Sequence, residues 1–346
     1  MKILQDLNLV ELQELMAKYS EKPFRAKQIL SNINLGKPIS TYSNISGELK
    51  QKLLAEFADF PLKIHTEQKS RDGTRKFAYE LIDGNIIEGV LLEYKYGFTL
   101  CVSTQVGCRM GCKFCASTLN GLVRNLTAGE ILAQVLLVNA MLGGKVGKQR
   151  KITNIVLMGS GEPLDNYDNV VKFLRLVSSL DGLNVSPRNI SVSTCGIVPN
   201  IRKLAEEGMP IILTISLHAP FDELRKSIMP IANKYTIREI LDAAKYYFEQ
   251  VGRRVVFEYA LMKDVNDSFD CAKQLATILR GFPVHVNLIP LNEVKERELK
   301  TVNRKNAERF MGWLEQIKIS VTIRRTMADD IDGACGQLRN KIEVGG

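Results

Sequence analysis

CVSTQVGCRMGCKFCAS, residues 101–117, begins as an apolar strand and continues into three closely spaced cysteines. Cys108, Cys112 and Cys115 have the spacing C-x3-C-x2-C. Iron–sulfur clusters are bound by cysteine thiolates, and a four-iron cluster with three protein ligands keeps one iron open for a small molecule. Zinc is the alternative, but structural zinc sites use paired C-x2-4-C motifs or nearby histidines. The motif therefore favours a [4Fe-4S] cluster.

Apolar β-rich runs alternate with amphipathic helical runs in the chain around and after this motif. The predicted strands are FTLCVST (98–104), ITNIVLMG (152–159), NISVSTCG (189–196), IILTISLHA (211–219), RVVFEYALM (254–262), VHVNLIPL (284–291) and VTIRRTM (321–327). This alternation is typical of βα units in a parallel sheet, and strands that are apolar on both faces fit a barrel wall covered by helices. The sequence thus predicts an α/β fold of the barrel type.

Polar motifs follow several of these strands. GSGEP (159–163) follows the second strand, SLH (216–218) ends the fourth and PLNE (290–293) follows the sixth. Barrels of this type carry their chemistry at the carboxyl ends of the strands, so we expect these motifs to share one site. The glycines of GSGEP let the backbone approach a ligand and Glu162 can pair with an ammonium group. A tight strand-to-helix turn explains the same residues.

The chain divides into three predicted parts. Residues 1–80 have helix-like periodicity broken by prolines and glycines, which predicts a small helical accessory domain. Residues 81–330 are expected to form the barrel, and residues 331–346 a carboxyl-terminal segment. No uncharged apolar run of about 18 residues occurs, and the amino terminus lacks the apolar core of a signal peptide. We therefore expect a soluble cytoplasmic protein without membrane contact.

The net charge predicts a polyanionic partner. The 346 residues contain 47 Lys and Arg against 38 Asp and Glu, a formal charge of +9. Cations that face phosphates release condensed counterions, which favours binding to nucleic acid. Residues 143–151, GGKVGKQRK, form a basic loop that either contacts such a partner or is a solvated connection. The seven cysteines, an odd number, argue against a disulfide scaffold.

The motif C-x3-C-x-(aromatic)-C after the first barrel strand resembles that of the radical S-adenosylmethionine (SAM) enzymes, whose fold is a partial β/α barrel. A finer resemblance covers nearly the whole chain. Its motifs are CVSTQVGCRMGCKFCAS, GLVRNLTAGEI, MGSGEPLDN, SVSTCG, SLHAP, EYALMKDVND, VNLIPLN and DIDGACGQL, in this order. They resemble the RlmN/Cfr family of adenine methyltransferases, and more closely its RlmN branch. The resemblance implies a partial (β/α)6 barrel that holds a [4Fe-4S] cluster and uses two SAM molecules per turnover.

The resemblance also assigns site residues. Cys108, Cys112 and Cys115 are the implied cluster ligands. The implied SAM contacts are Gly161, Glu162, Ser193, Ser216, Leu217, His218 and Asn292. The chain departs from the family pattern at Ser117 and Leu119, in CASTLNG, where many relatives have CATG.

Three further residues acquire roles through the resemblance. Cys335 is the implied methyl acceptor, Cys101 the implied partner in a transient disulfide, and Glu88 the implied proton acceptor. Without the resemblance, Cys335 is a free thiol near the end of the chain, Cys101 is a core residue and Glu88 is one exposed acid of a strand.

The family's activity gives the expected function. It implies methylation of adenine carbon 2 in the peptidyl-transferase region of 23S rRNA and beside the anticodon of tRNA, with an electron donor such as flavodoxin or ferredoxin. The helical amino-terminal domain would then bind RNA. Methylation of adenine carbon 8, as in the Cfr branch, is an alternative. The cluster motif alone also permits a radical enzyme that acts on a protein or small molecule, and a non-enzymatic RNA-binding module is the third possibility.

Overall fold

A computed structural model describes residues 1–338 of the chain. The α-helices of this part are α1 (Leu9–Lys18), α2 (Phe24–Asn34), α3 (Gly47–Glu56), α4 (Ala128–Met141), α5 (Tyr167–Ser178), α6 (Val198–Glu206), α7 (Asp222–Ile228), α8 (Ile237–Val251), α9 (Phe269–Ile278) and α10 (Arg304–Gln316). The strands are β1 (Leu62–Lys69), β2 (Arg75–Leu81), β3 (Ile86–Tyr94), β4 (Gly97–Cys101), β5 (Gln105–Gly107), β6 (Leu122–Asn125), β7 (Ile152–Leu157), β8 (Ile190–Thr194), β9 (Ile212–Ser216), β10 (Val255–Leu261), β11 (Val284–Pro290) and β12 (Val321–Ile323).

Ten of these strands form one open sheet in the order β1-β2-β3-β4-β7-β8-β9-β10-β11-β12. The strands β1 to β4 pair antiparallel, and every pair from β4 onwards is parallel. The six parallel strands β4 and β7 to β11 form the predicted partial barrel, and the short β12 adds a seventh. Each of the seven predicted strands occurs, which confirms the α/β class and the partial barrel.

The barrel core is apolar because both faces of the parallel strands are covered. Val192, Leu213 and Val255 are fully buried, and α4 is buried over most of its length. As a buried helix, α4 turns no polar face to solvent. The described helices contain none that is long and apolar enough to cross a membrane.

The amino-terminal part is helical over less of its length than expected. Its helices end at Glu56, and the next two elements, β1 and β2, are strands of the main sheet. In β2 only Arg75 and Glu80 are partly exposed, and Lys76 donates to the Asp332 carbonyl of the carboxyl-terminal segment at 3.1 Å. The helices pack on the barrel: the backbone N–H of Gly129 donates to Asp6 at 2.6 Å, and Lys172 pairs with Glu11 at 2.9 Å. The domain boundary at residue 80 stays a prediction.

The carboxyl-terminal segment lies across the antiparallel strands. The Ser70 hydroxyl donates to Asp330 at 2.6 Å, and the Ala328 N–H donates to Asp72 at 3.0 Å. These contacts attach residues 328–338 to the turn between β1 and β2, at the antiparallel end of the sheet. The rest of the predicted segment, residues 339–346, lies outside the described residues.

Candidate active site

The three clustered cysteines lie between β5 and β6. Cys108 directly follows β5, and Cys112 and Cys115 come further along the loop. Cys108 and Cys112 are buried and Cys115 is half-buried. The Thr118 hydroxyl lies 3.2 and 3.0 Å from the carbonyl oxygens of Cys112 and Cys115, which fixes the turn between them. The loop therefore presents its thiols from a defined backbone.

The surroundings of these cysteines fit an anionic iron–sulfur cluster. Burial raises the pKa of the Cys112 and Cys115 thiols, and the charges of Arg225 and Arg297, respectively, oppose that rise. Nη1 of Arg225 and Nε of Arg297 are buried without a hydrogen-bond partner among the described residues. Positive charge and free N–H donors beside thiolates favour a negatively charged group.

The positions of the metal-binding side chain types also bear on the alternative of a zinc site. Within residues 1–338, no three His, Cys, Asp or Glu side chains are placed to hold a single metal ion. A zinc ion draws its thiolates to one point. The thiolates of a four-iron cluster bind different iron atoms and can stay further apart. The preference for a cluster over zinc rests on the C-x3-C-x2-C spacing of the three cysteines.

A cavity of about 160 Å³ opens at the carboxyl ends of the parallel strands, beside the cluster loop. The predicted site residues that line it are Cys108, Cys112, Cys115, Gly161, Glu162, Ser193, Ser216, His218, Asn292 and Cys335. Leu217 does not line it. Its side chain is fully buried in the core, and its backbone N–H donates to the Glu258 carbonyl at 3.1 Å. Leu217 therefore lies between two residues that line the cavity, Ser216 and His218, but does not face the cavity itself.

Glu162 is held by backbone donors. Its carboxylate accepts the N–H of Cys195 at 2.7 Å and that of Leu164 at 2.9 Å. Burial raises the pKa of the Glu162 carboxyl, while the Cys195 N–H opposes the rise. Gly161 has a φ of +109°, and a Cβ there would lie 2.6 Å from the Cβ of Gln105. The glycine is required by this close approach of the loop to Gln105.

His218 faces the cavity as a neutral imidazole. It is buried, and burial lowers its pKa to about 3. Its Nδ1 accepts the N–H of Ala260 at 2.9 Å, which places the ring proton on Nε2. The ring of Phe114 meets it edge-on with centroids 4.8 Å apart. The side chain of Asn266 donates to the His218 carbonyl at 2.7 Å and fixes a backbone with a φ of +56°.

The carboxyl-terminal segment is bound directly to the cluster loop. The N–H of Ala116 donates to the Gly336 carbonyl at 2.7 Å, and the Ser117 hydroxyl donates to the Leu338 carbonyl at 2.7 Å. The side chain of Asn292 donates to the carbonyl of Cys335 at 3.0 Å. Ser117, one of the two departures from the family pattern, therefore helps to place Cys335 beside the cluster loop.

A second, smaller cavity of about 50 Å³ contains both remaining cysteines of interest, Cys101 and Cys335. Asn292 and Cys335 line both cavities, which therefore adjoin. Cys101 is buried and Cys335 is exposed. Burial raises the pKa of the Cys101 thiol to about 12. The nearby Cys335 raises the pKa of the Arg324 guanidinium, which lines the same cavity.

Comparison with known proteins gives the family of this chain. The radical SAM superfamily model matches residues 102–270. The chain is 54% identical to a probable dual-specificity RNA methyltransferase RlmN of Clostridium perfringens, over 98% of this chain and 97% of the relative. It is 52% identical to the protein of the same name from Clostridium novyi, over 98% of both chains. The chain belongs to the RlmN family of radical SAM methyltransferases.

A solved structure agrees with this membership. A radical SAM methyltransferase from Sphaerobacter thermophilus has 40% sequence identity and a TM-score of 0.94, over 98% of this chain and 99% of the other. As a member of the RlmN family, the protein is a SAM-dependent methyltransferase, and the family uses a [4Fe-4S] cluster together with SAM. The resemblance to this family found in the sequence is thereby confirmed.

Glu88, the predicted proton acceptor, lies outside the described lining of both cavities. Its carboxylate pairs with Lys76 at 2.7 Å, and both side chains are only 6% exposed. The interpretation of Glu88 as an exposed acid of a strand is therefore wrong, because β2 and the segment around Asp332 cover it. Glu88 and Val90 share a face of β3, and Val90 pairs with Cys101.

Three charged residues of this RlmN-family site were not predicted. Arg225 is fully buried and donates to the carbonyls of Cys195, Ser216 and Leu217, at 2.6, 3.2 and 3.1 Å. Glu258 lines the larger cavity and pairs with Arg324 at 2.9 Å. A charged residue inside an apolar strand run, such as Glu258 in RVVFEYALM, is the signal that could have revealed this pair.

Proposed function

We propose that this protein methylates carbon 2 of adenine in RNA, at an adenine of the peptidyl-transferase region of 23S rRNA and at the adenine beside the anticodon of tRNA. The observation that carries the proposal is the cavity shared by Cys101 and Cys335, which adjoins the cavity of the cluster cysteines. The names of the relatives support RNA as the substrate, and so does the charge of +9.

The chemistry of the target explains why a radical enzyme is needed. Adenine carbon 2 lies between two ring nitrogens and is electron-poor, so it does not attack the methyl group of a sulfonium ion. A thiolate is a good nucleophile and does. When bound, the cluster and SAM supply a carbon radical that removes a hydrogen atom from a methyl group carried on sulfur.

Cys335 is the proposed methyl acceptor. It is exposed and lines the larger cavity, where Glu162 and Ser193 would hold SAM, and Arg324 lines the smaller cavity together with it. One SAM molecule would methylate Cys335 and a second would be cleaved, two per turnover. A small electron-transfer protein such as flavodoxin or ferredoxin would supply the electron.

Release of the product is assigned to Cys101. The carbon radical on the sulfur of Cys335 would add to adenine carbon 2, so that the base becomes bonded to that sulfur through a methylene carbon. Attack by the Cys101 thiolate on that sulfur forms a disulfide and breaks the carbon–sulfur bond, whose electron pair leaves with the base. Before this attack, Glu88 would take the proton from the ring carbon, and the unpaired electron of the adduct would pass to the bound cluster, so that the base becomes aromatic again. The carbon that leaves Cys335 with the electron pair then takes up a proton from water and becomes the methyl group. An external reductant must then reduce the disulfide before the next turnover.

The amino-terminal helices are proposed to recognise RNA shape. Both target adenines lie in loops or single-stranded regions, where a base can be turned out of its stack. Asp6 and Glu11 of the amino-terminal part contact α4 and α5 of the barrel.

The position of methylation is tested with deuterated RNA. Anaerobic holoenzyme is incubated with SAM, reductant and RNA that carries deuterium at adenine carbon 2 or at carbon 8, and the nucleosides are weighed after digestion. We expect loss of the label at carbon 2 only. Loss at carbon 8 would move the protein to the Cfr-type reaction, and methyl transfer to protein extract but not to RNA would overturn the proposal.

A further inference from the structure

The hairpin between β3 and β4 carries a stacked pair of tyrosines. The rings of Tyr94 and Tyr96 lie 5.0 Å apart between centroids, with 8° between their planes. Tyr96 is 65% exposed, so most of its side chain is open to solvent on the side away from Tyr94. Aromatic rings with an open face are the surface on which proteins stack unpaired bases.

The tyrosine pair lies at one end of a row of β3 side chains, and the other end of this row adjoins Cys101. Val90, Leu92 and Tyr94 are alternate residues of β3, point to one face, and all line the smaller cavity. Val90 pairs with Cys101, and Tyr94 pairs with Gly97 at the opposite end of β4. The cavity of Cys101 and Cys335 is thus walled by β3 as far as Tyr94, and Tyr96 stacks next to it at the surface.

Cations flank this pair. Lys95, in the turn between the two tyrosines, is exposed, and so is Arg325, which lines the same cavity. Burial raises the pKa of the Tyr94 hydroxyl, and the charges of Arg324 and Arg325 oppose the rise, so both guanidinium groups lie near this ring. Stacking surfaces bordered by lysine and arginine are characteristic of single-stranded nucleic-acid sites, where the cations face phosphates.

We propose that Tyr94 and Tyr96 form a stacking platform for the unpaired RNA base next to the target adenine, at the entrance to the cavity of Cys101 and Cys335. This rests on the proposed RNA methyltransferase function. Packing within the hairpin does not require Tyr96, because a ring that is 65% exposed buries little apolar area. Stacking is tolerant of sequence, since every base has a π-face. A tolerant platform suits a protein that acts on two different RNAs.

The test compares variants of the cluster-loaded protein. The probe is an anticodon stem–loop RNA that carries 2-aminopurine next to the target adenine. In Tyr96→Ala we expect KM for this RNA to rise roughly tenfold with little change in kcat, and the quenching of 2-aminopurine on binding to be lost. Tyr96→Phe should keep both properties. Phe269→Ala is the matched control, because Phe269 is another half-exposed ring in an aromatic pair but lies on α9, outside both cavities.

The outcomes separate this inference from the proposed function. If Tyr96→Ala binds and quenches the probe as the wild type does, the platform is wrong while RNA methylation stands. If Tyr96→Phe is as impaired as Tyr96→Ala, the hydroxyl and not the ring face is responsible, and stacking is again overturned. If the wild type does not methylate RNA, the proposed function is overturned, and the quenching assay still decides whether the ring pair binds a base.

Discussion

Cys101 and Cys335 line one cavity but differ in exposure, and this difference suits different roles. The exposed Cys335 can meet SAM and RNA, whereas the buried Cys101 is shielded from both. Because burial raises its pKa to about 12, Cys101 is almost entirely a neutral thiol at physiological pH. Only the thiolate attacks, and its fraction is small at this pH and rises with pH. The step assigned to Cys101 is therefore sensitive to pH.

The first prediction concerns this pH dependence. In the proposed reaction, release of RNA from Cys335 needs the Cys101 thiolate, whose fraction rises about tenfold per pH unit below its pKa. In a single-turnover experiment, the covalent RNA–protein adduct should therefore decay faster at pH 9 than at pH 7, as followed on denaturing gels. The Cys101→Ala variant is the control and should keep the adduct at both values. Equal decay of the wild-type adduct at both pH values would contradict the assignment.

The second prediction concerns the buried ion pair of Lys76 and Glu88. Lys76→Met removes the cation that faces a buried carboxylate, and we expect it to lower the free energy of unfolding by about 3 kcal/mol. The double variant Lys76→Met/Glu88→Met should recover most of this loss, because no buried charge is left. Urea unfolding of the anaerobic protein measures both. A double variant as unstable as the single one would show that the pair is not coupled in this way.

At the scale of elements, the carboxyl ends of the strands determine where the side chains of the site lie. The loops after β7, β8 and β9 carry Glu162, Cys195 and His218, and the parallel register brings these loops to one edge of the sheet. Cys108 follows β5, in the separate two-stranded sheet, and lines the same cavity. Arg225 of α7 then joins the ends of β8 and β9 through their carbonyl groups. The site is thus assembled from loops whose backbones are bonded to one another.

The third prediction tests one of these loops. Gly161→Ala places a Cβ 2.6 Å from the Cβ of Gln105 at a φ of +109°, and should displace Glu162. Gly208→Ala is the matched control, since Gly208 has a φ of +68° but a Cβ there would meet no atom of residues 1–338 within 4 Å. We expect Gly208→Ala to cost about 1 kcal/mol and to leave SAM affinity unchanged. Gly161→Ala should cost more and weaken SAM binding in equilibrium dialysis; equal behaviour of the two variants would contradict the role of the close approach.

At the scale of the whole molecule, the antiparallel strands and the carboxyl-terminal segment complete what the barrel leaves open. The loop at Ser70 and Asp72 binds the segment at Asp330 and Ala328, and this contact carries Cys335 towards Cys101. The parallel strands are predictable from sequence, because long apolar runs alternate with helices. The place of Cys335 is not, because it depends on contacts between residues more than 250 positions apart in sequence.

The same limit applies to individual charges. The cluster cysteines could be proposed from the sequence because three cysteines lie within eight residues. Glu88 and Lys76 come from neighbouring strands, and Glu258 and Arg324 from β10 and the chain after β12, so each pair becomes visible only when the strands are in register. A sequence pattern can show candidate cluster ligands that lie in one loop. Buried ion pairs join distant parts of the chain, so they depend on tertiary structure.

The central claim is that Cys335 and Cys101 act in sequence on RNA, and the most direct test is to trap the adduct on Cys335 by removing Cys101. Anaerobic, cluster-loaded Cys101→Ala is incubated with SAM, reductant and end-labelled anticodon stem–loop RNA, and the mixture is run on a denaturing gel. We predict a covalent RNA–protein band that is absent from the double variant Cys101→Ala/Cys335→Ala, because the adduct forms on Cys335 and cannot be resolved. Normal turnover by Cys101→Ala without any such band would contradict the account.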